Sequence, residues 1–157
     1  MKAAVVAVLM LAVASAAPAA VSRATPTGCR SDVSTGVLPA WARGGFSDPR
    51  PRIPHVVGRG GKIVAILFGY PLLSPPAKRR SNKILWVSRS PWRGQTDLRI
   101  RAQRMESDRP VGRPVARPLT GGPGPSIVDL PAPGCWRLTL RWGGRSDRLD
   151  LRYRPNR

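Results

Sequence analysis

The chain has 157 residues, and its 27 Lys and Arg against 8 Asp and Glu give it a formal net charge of +19. That length fits one domain with a substantial hydrophobic core, and a single His with two Cys argues against a metal centre or a His-dependent catalytic site. Most of the basic residues are arginines, which attract polyanions and anionic membrane surfaces. Because Arg, Ala, Gly and Pro are abundant together, as a GC-rich coding bias would produce, the charge alone predicts no specific nucleic-acid partner.

The N-terminus predicts a secretory signal peptide. Lys2 provides a positive charge, 3–14 is apolar, and small residues precede candidate cleavage sites after Ala16 and after Ala19. We predict cleavage after Ala16, so that the signal peptide is 1–16, with cleavage after Ala19 as the alternative. An uncleaved membrane anchor is the other interpretation of this segment. With cleavage, the protein is secreted or belongs to the cell envelope, and no transmembrane segment remains.

The two cysteines, Cys29 and Cys135, would both remain in the exported chain. An even number of cysteines in an oxidising compartment predicts a disulfide. Closing a loop of about 100 residues would stabilise the fold by roughly 4–5 kcal/mol in the chain-entropy model. Two alternatives stay open, namely a lipidated Cys29 with a buried Cys135, and two free thiols.

The residues after the predicted cleavage site are small and polar, and they predict a flexible leader over 17–36. The predicted β domain occupies 37–157. Near its start, Trp41 lies in a short apolar segment in which Pro39 excludes a regular central strand. We therefore expect one helical turn that packs Trp41 on the domain. Several Gly and Pro residues then predict a loop over 43–54.

Short segments rich in apolar and β-branched residues predict strands along the rest of the chain. The segment 62–70 is apolar on both faces, which indicates a central strand of the core, whereas 97–103 alternates between apolar and polar residues. Between the strands, 71–82 predicts a loop and 105–113 a polar turn. The predicted strands ahead of the C-terminal hairpin are 55–57, 62–70, 83–88, 97–103 and a short edge strand at Val115, and 126–130 is either a short strand or a corner.

The clearest pattern is the C-terminal alternation, in which apolar residues occupy every second position from 136 to 142 and from 149 to 153. This period of two predicts an antiparallel hairpin with one face in the hydrophobic core. A two-residue turn places Arg137 opposite Asp150, whereas a four-residue turn places Arg137 opposite Arg152. Each cross-strand pair contributes only about 0.2–1 kcal/mol, so both registers stay open. The predicted core contains Trp86, Trp136, Leu138, Leu140, Leu149 and Leu151.

These short strands, separated by Pro and Gly turns, predict an all-β sandwich. Residues 130–140, which read Leu-Pro-Ala-Pro-Gly-Cys-Trp-Arg-Leu-Thr-Leu, resemble the corner and penultimate strand of an immunoglobulin-like domain. The wider pattern over 38–42, 82–88 and 122–126 is similar to a group of small, exported, uncharacterised bacterial proteins.

The resemblance implies an immunoglobulin-like antiparallel β-sandwich of about seven strands, preceded by a signal peptide, and it implies no function. Because Cys29 precedes the first predicted strand, its bridge would differ from the usual one between the two sheets. Copper-handling proteins of this fold use several His or Met ligands. Here His55 is the only His and Met105 the only Met beyond the predicted signal peptide, so we expect no copper site.

No catalytic motif is recognisable, and we predict that the protein is not an enzyme and uses no cofactor. A Ser/His/Asp site would depend on His55, but a lone His beside two valines is typical of a strand end or turn. The acidic residues are scattered along the chain. Asp147 and Asp150, which lie next to Arg145 and Arg148, are expected to form surface ion pairs.

The outward strand faces are rich in arginine. Arg137, Arg141, Arg148 and Arg152 share the outward face of the hairpin, and Arg99 and Arg101 lie at outward positions of another strand, 97–103. Guanidinium groups bind phosphate and carboxylate groups, so these strand faces are candidates for binding an acidic glycan, an anionic lipid or nucleic acid. The alternative is a solvated face that only keeps the protein soluble. Trp41 and Trp92 are the candidates for exposed aromatic contacts.

Two functions follow from these observations. The first is an exported, non-catalytic module of the cell envelope that binds an unidentified envelope component or has a structural role. The second is a basic surface module that binds polyanions through its arginine-rich strands.

Overall fold

The computed structural model describes Cys29, residues 33–91 and residues 96–156. The predicted signal peptide, most of the predicted leader and Trp92 lie outside the described residues.

The predicted all-β sandwich is confirmed, although the described residues form nine strands in two sheets where about seven strands were predicted. The four-stranded sheet has the order β1-β2-β4-β7, and the five-stranded sheet has the order β3-β9-β8-β5-β6. Neighbouring strands are antiparallel except β3 and β9, which are parallel. The strands are β1 His55–Val57, β2 Ile63–Leu67, β3 Leu72–Ser74, β4 Lys83–Ser88, β5 Leu98–Glu106, β6 Arg109–Leu119, β7 Pro125–Ile127, β8 Gly134–Trp142 and β9 Arg145–Pro155.

The main core lies between the two sheets. The six residues predicted for the core lie in it, and Trp86 and Trp136 are 1% and 2% exposed. Both indole nitrogens donate hydrogen bonds, Trp86 to the Ser126 hydroxyl at 3.0 Å and Trp136 to the Ala132 carbonyl at 2.9 Å. Burial raises the pKa of Tyr153, so its hydroxyl stays protonated and donates to the Val128 carbonyl at 2.6 Å. The polar ends of the large aromatic side chains are thus satisfied inside the core.

A second, smaller core covers the outer face of the four-stranded sheet. Val64 and Ile66 of β2 are fully buried against Leu38 and Ala42, which come from the segment before β1. Because the other face of β2 lies in the main core, every residue of this strand is buried, which explains its apolar sequence. The predicted helical turn is the 3-10 turn Ala40–Ala42. It packs Trp41, half-buried, on this second core and not in an exposed contact surface.

Two strands lie in segments that were predicted to be irregular. β3 lies in the predicted loop 71–82 and pairs with β9 over only three residues. On its other side, the buried amide group of Asn82 accepts a hydrogen bond from the Leu73 nitrogen and donates one to the Leu73 carbonyl, each at 2.8 Å. A strand this short, held by a distant strand and by a side chain, has no local pattern that could predict it.

β6 begins in the predicted polar turn and continues through the predicted edge strand at Val115. It contains prolines at 110, 114 and 118, which have no backbone N–H group to donate to a neighbouring strand. In the described part of the chain β6 has one neighbour, β5, so it needs hydrogen bonds on one side only. Prolines on such an edge also hinder pairing with a second chain. The turn before β6 is only two residues, Ser107 and Asp108, both with positive φ.

The C-terminal hairpin adopts the register with the two-residue turn, so Arg137 faces Asp150 and Leu138 faces Leu149. Gly143 and Gly144 have φ values of 46° and 71°. Two successive residues with positive φ give a turn whose twist matches that of the flanking strands, and glycine adopts this conformation without steric cost.

The predicted disulfide between Cys29 and Cys135 is present, with 5.4 Å between the two Cα atoms. Cys135 lies on the outer face of β8, so the bridge attaches the N-terminal segment to the outside of the five-stranded sheet. Further along, Ser34 exchanges two backbone hydrogen bonds of 2.9 Å with His55, and Val33 packs against the main core. Contacts with the sandwich therefore begin ahead of residue 37.

A buried carboxylate connects the two sheets. Asp147 of β9 is 8% exposed and accepts hydrogen bonds from the backbone nitrogens of Gly60 at 2.7 Å and Lys62 at 2.8 Å. The expected surface ion pair of Asp147 is therefore wrong, because its side chain points inward and holds the turn between β1 and β2. Gly58 lies directly against this carboxylate, and a Cβ atom at this position would overlap it.

We predict that Gly58→Ala lowers the free energy of unfolding by about 1–3 kcal/mol, because the added methyl group displaces the Asp147 carboxylate from its backbone donors. The matched control is Gly44→Ala, since no atom lies within 4 Å of a Cβ atom there and its expected effect is within about 0.5 kcal/mol. Urea unfolding of both variants measures the difference. Equal stabilities of the two variants would show that the contact at Gly58 is unimportant.

Candidate functional site

The outer face of the five-stranded sheet is the candidate site. Outward positions alternate with core positions along β5, β8 and β9, so the candidate arginines all lie on this one face. We call this surface the arginine face, and it comprises Arg99, Arg101, Arg137, Arg141, Arg148 and Arg152.

The strand register arranges these side chains in rows across the sheet. Arg99 lies opposite Arg141. In the next row, Thr139 of β8 lies between Arg101 of β5 and Arg148 of β9. Residues directly opposite in an antiparallel sheet have Cα atoms about 4.5–5.5 Å apart. Four of the arginines are therefore close neighbours at one end of the face.

Arg137 differs from the other arginines because it belongs to an ion-pair network. Its Nε and Nη2 atoms lie 3.1 Å and 3.3 Å from the two carboxylate oxygens of Asp150, and Nη2 lies 3.4 Å from Asp108. The hydrogen bond to Asp150 raises the pKa of Arg137 above its usual value. A raised pKa means that this stabilisation is complete below the pKa of the unfolded chain, hence at neutral pH, and is lost only in strong alkali. Arg137 therefore has a structural role.

Asp150 is the centre of that network and is 1% exposed. Besides Arg137, it accepts a hydrogen bond of 2.8 Å from Arg59 in the turn between β1 and β2. The expectation of a surface ion pair at Asp150 is wrong, because two guanidinium groups from distant parts of the chain enclose it. Arg59 was not among the predicted site residues, and its position 91 residues from Asp150 left no local signal of this contact.

The remaining arginines of the face are exposed, and no carboxylate in the described part of the chain lies within 4.0 Å of them. These five exposed arginines are Arg99, Arg101, Arg141, Arg148 and Arg152. Like charges that face each other across a sheet destabilise it by a few tenths of a kcal/mol. An anion bound between such residues would relieve this repulsion.

Two concave regions adjoin the pair Arg99 and Arg141. One, of about 610 Å³, lies on the arginine face and is also lined by Arg101 and Thr139. The other, of about 620 Å³, lies at the turn end of the hairpin. The second contains Asp97, which lowers its positive potential. Among the described residues, no acidic side chain lines the region on the arginine face, so that region is the better place for an anionic group.

The other candidates for chemistry are the single histidine and the groups of possible metal ligands. His55, the only His of the chain, is 4% exposed at the start of β1 and its Nδ1 donates to the Ile53 carbonyl at 2.8 Å. Over Cys29, 33–91 and 96–156, no group of three or more His, Cys, Asp or Glu side chains is placed to hold a metal ion. In the same ranges, no helix is long and apolar enough to span a membrane.

Comparison with known proteins gives no information about the function of the arginine face. A scan against models of protein families, a search of curated proteins and a search of solved structures each found no match to this chain.

We predict that Asp150→Asn lowers the free energy of unfolding by about 2–3 kcal/mol, because two guanidinium groups lose a charged hydrogen-bond acceptor. The control is Glu106→Gln, which makes the same change of carboxylate to amide in the exposed pair with Arg104. We expect it to cost less than about 1 kcal/mol. Denaturant unfolding compares the two variants, and similar losses in both would contradict the structural role of Asp150.

Proposed function

We propose that the protein is an exported, non-catalytic binding module of the cell envelope and that it binds polyanions through the arginine face. The proposal rests on one observation. Five exposed arginines lie on one face of the sheet, and none of them has a carboxylate partner among the described residues. Guanidinium groups are suited to phosphate and carboxylate oxygens. Strand pairing fixes the backbone positions of these arginines, so the ordering that binding requires is confined to their side chains.

The proposal includes an immunoglobulin-like type for the sandwich. The spatial order β9-β8-β5 has the connectivity of strands G, F and C of that fold, and β4 with β7 has the place of strands B and E. At the start of β8, the Trp136 indole donates to the Ala132 carbonyl four residues upstream. A tyrosine makes a comparable hydrogen bond at the start of strand F in immunoglobulin domains.

Export is supported by the tripartite pattern of the N-terminus and by the disulfide between Cys29 and Cys135, since disulfides persist mainly outside the cytoplasm. In a cell envelope, the arginine face would meet anionic polymers and lipids. These are ligands of the charge that the arginine face would bind.

We predict that the chain, produced in a bacterium with its own N-terminus, is recovered outside the cytoplasm and begins at Ala17, or at Ala20 if the alternative site is used. Replacing Ala14 and Ala16 with Trp should block cleavage after residue 16, because signal peptidase requires small side chains there. N-terminal sequencing of fractionated cells gives the answer. A full-length cytoplasmic product of the unaltered chain would contradict export.

The binding proposal is tested with two variants of equal charge. In one, the five exposed arginines of the arginine face are changed to Gln. In the other, five exposed arginines elsewhere are changed to Gln, namely Arg50, Arg52, Arg79, Arg89 and Arg109.

We expect the exported protein to bind immobilised polyphosphate and polygalacturonate in 0.15 M salt. The arginine-face variant should bind at least about tenfold more weakly, a change of ~1.4 kcal/mol, and the control variant should bind nearly as well as the natural chain. Equal loss in both variants would indicate attraction by net charge alone. Absence of binding by the natural chain at this salt concentration would contradict the proposed function itself.

A further inference from the structure

One position within the arginine face stands apart from its surroundings. Thr139 lies in the middle of β8, with Arg101 directly opposite on β5 and Arg148 directly opposite on β9. Arg141 follows two residues later on the same strand and so shares the same face, and Arg99 lies opposite Arg141. A short side chain is thus bordered by four long, exposed, positively charged ones.

The short side chain leaves space between these arginines. The concave region of about 610 Å³ is lined by Thr139, by Ala116 and Pro114 of the edge strand, and by Arg99, Arg101 and Arg141. Arg148 lies outside this lining, on the other side of Thr139. An Arg side chain spans more than the distance between neighbouring strands, which is about 4.8 Å. The guanidinium groups of Arg101, Arg141 and Arg148 can therefore all reach a group that rests on Thr139.

The chemistry of this position is that of a site for an anion with several oxygens. Four guanidinium groups are present, and none has a carboxylate within 4.0 Å in the described part of the chain. The Thr139 hydroxyl, which makes no side-chain hydrogen bond with a described residue, can donate one more. A carboxylate offers two oxygens and one negative charge. A phosphate monoester offers three terminal oxygens and a charge of about −1.5 to −2 at neutral pH.

We propose that Thr139 and the four arginines around it form a discrete binding site for a phosphate monoester group. This proposal rests on the proposed function, which it narrows from polyanions in general to one ligand chemistry and one position on the face. The phosphate oxygens accept hydrogen bonds from forked guanidinium groups, and the Thr139 hydroxyl donates to the oxygen nearest the sheet. The same chemistry occurs in the headgroup of an anionic lipid and in a soluble phosphorylated molecule.

The site is distinguished from the rest of the face by a matched pair of variants. Arg101→Gln removes a charge next to Thr139, whereas Arg152→Gln removes the same charge two rows away, opposite Cys135. Thr139→Val retains the β-branched shape and removes only the hydroxyl. All three positions are on the sheet surface, and thermal unfolding with intact-mass analysis of the disulfide verifies that each variant is folded.

Binding is measured at 0.15 M salt with the exported protein and three soluble probes: glycerol 1-phosphate for a monoester, glycerophosphoglycerol for a diester, and citrate for carboxylates. Vesicles that contain phosphatidic acid or phosphatidylglycerol at equal surface charge provide the lipid forms. We expect the monoester and phosphatidic acid to bind at least about tenfold more tightly than the diester, citrate and phosphatidylglycerol. Arg101→Gln should weaken monoester binding at least about tenfold, Thr139→Val about threefold or more, and Arg152→Gln less than about twofold.

The outcomes separate the site from the broader proposal. Equal weakening by Arg101→Gln and Arg152→Gln would overturn the discrete site while polyanion binding stands. Citrate or a diester that binds as tightly as the monoester would overturn the phosphate assignment. If glycerol 1-phosphate binds but phosphatidic acid vesicles do not, the site is confirmed for a soluble ligand, and binding of both confirms it for a lipid headgroup as well. If the natural chain binds none of these probes and does not bind polygalacturonate, both the proposed function and the site are overturned.

Discussion

The ion pair between Asp150 and Arg137 lies on the outer face of the five-stranded sheet, where the register of β8 and β9 places the two residues directly opposite each other. The pair can form because β8 and β9 are joined by a turn of only two glycines, which sets this register. In the alternative register, shifted by two residues, Arg137 would face Arg152, and Thr139 would face Asp150. An acidic side chain would then lie beside the concave part of the arginine face and compensate its charge. Because Asp150 lies opposite Arg137 instead, the residue opposite Thr139 is Arg148 and the charge there is not compensated by Asp150.

The two acidic residues of β9 illustrate how a very basic chain uses its few carboxylates. Asp147 points inward and holds the turn between β1 and β2, and Asp150 points outward but is enclosed by Arg59 and Arg137. Both connect the two sheets through the same turn. Because these carboxylates are committed to backbone donors and to two particular guanidinium groups, the exposed arginines near them have none. With 27 basic and only 8 acidic side chains in the sequence, most arginines have no acidic partner to pair with, and the positions of Asp147 and Asp150 affect only which arginines remain uncompensated.

The coarse architecture could be predicted because it depends on local patterns. Apolar alternation identified the hairpin, and a segment that is apolar on both faces identified β2 as a central strand. β3 and the first half of β6 could not be predicted in the same way. The first consists of three residues held by β9 and by the Asn82 side chain, and the second is interrupted by prolines that only an edge position tolerates. In both cases the decisive partner is far away in sequence.

By itself, the sequence determined which residues share a face, since the period of two in a strand is a local property of the backbone. It therefore placed four arginines on the outward face of the hairpin and two on the outward face of another strand, and it made a disulfide between Cys29 and Cys135 one of three possibilities. The pairing of β5 with β8 and the bridge itself come from the tertiary structure. Only the tertiary structure decided which arginines are available. The choice between two hairpin registers depends on cross-strand pairs worth about 0.2–1 kcal/mol each, and the enclosure of Asp150 depends on Arg59, 91 residues away. Contacts of this kind have no local signature, because they form only when the two sheets pack together.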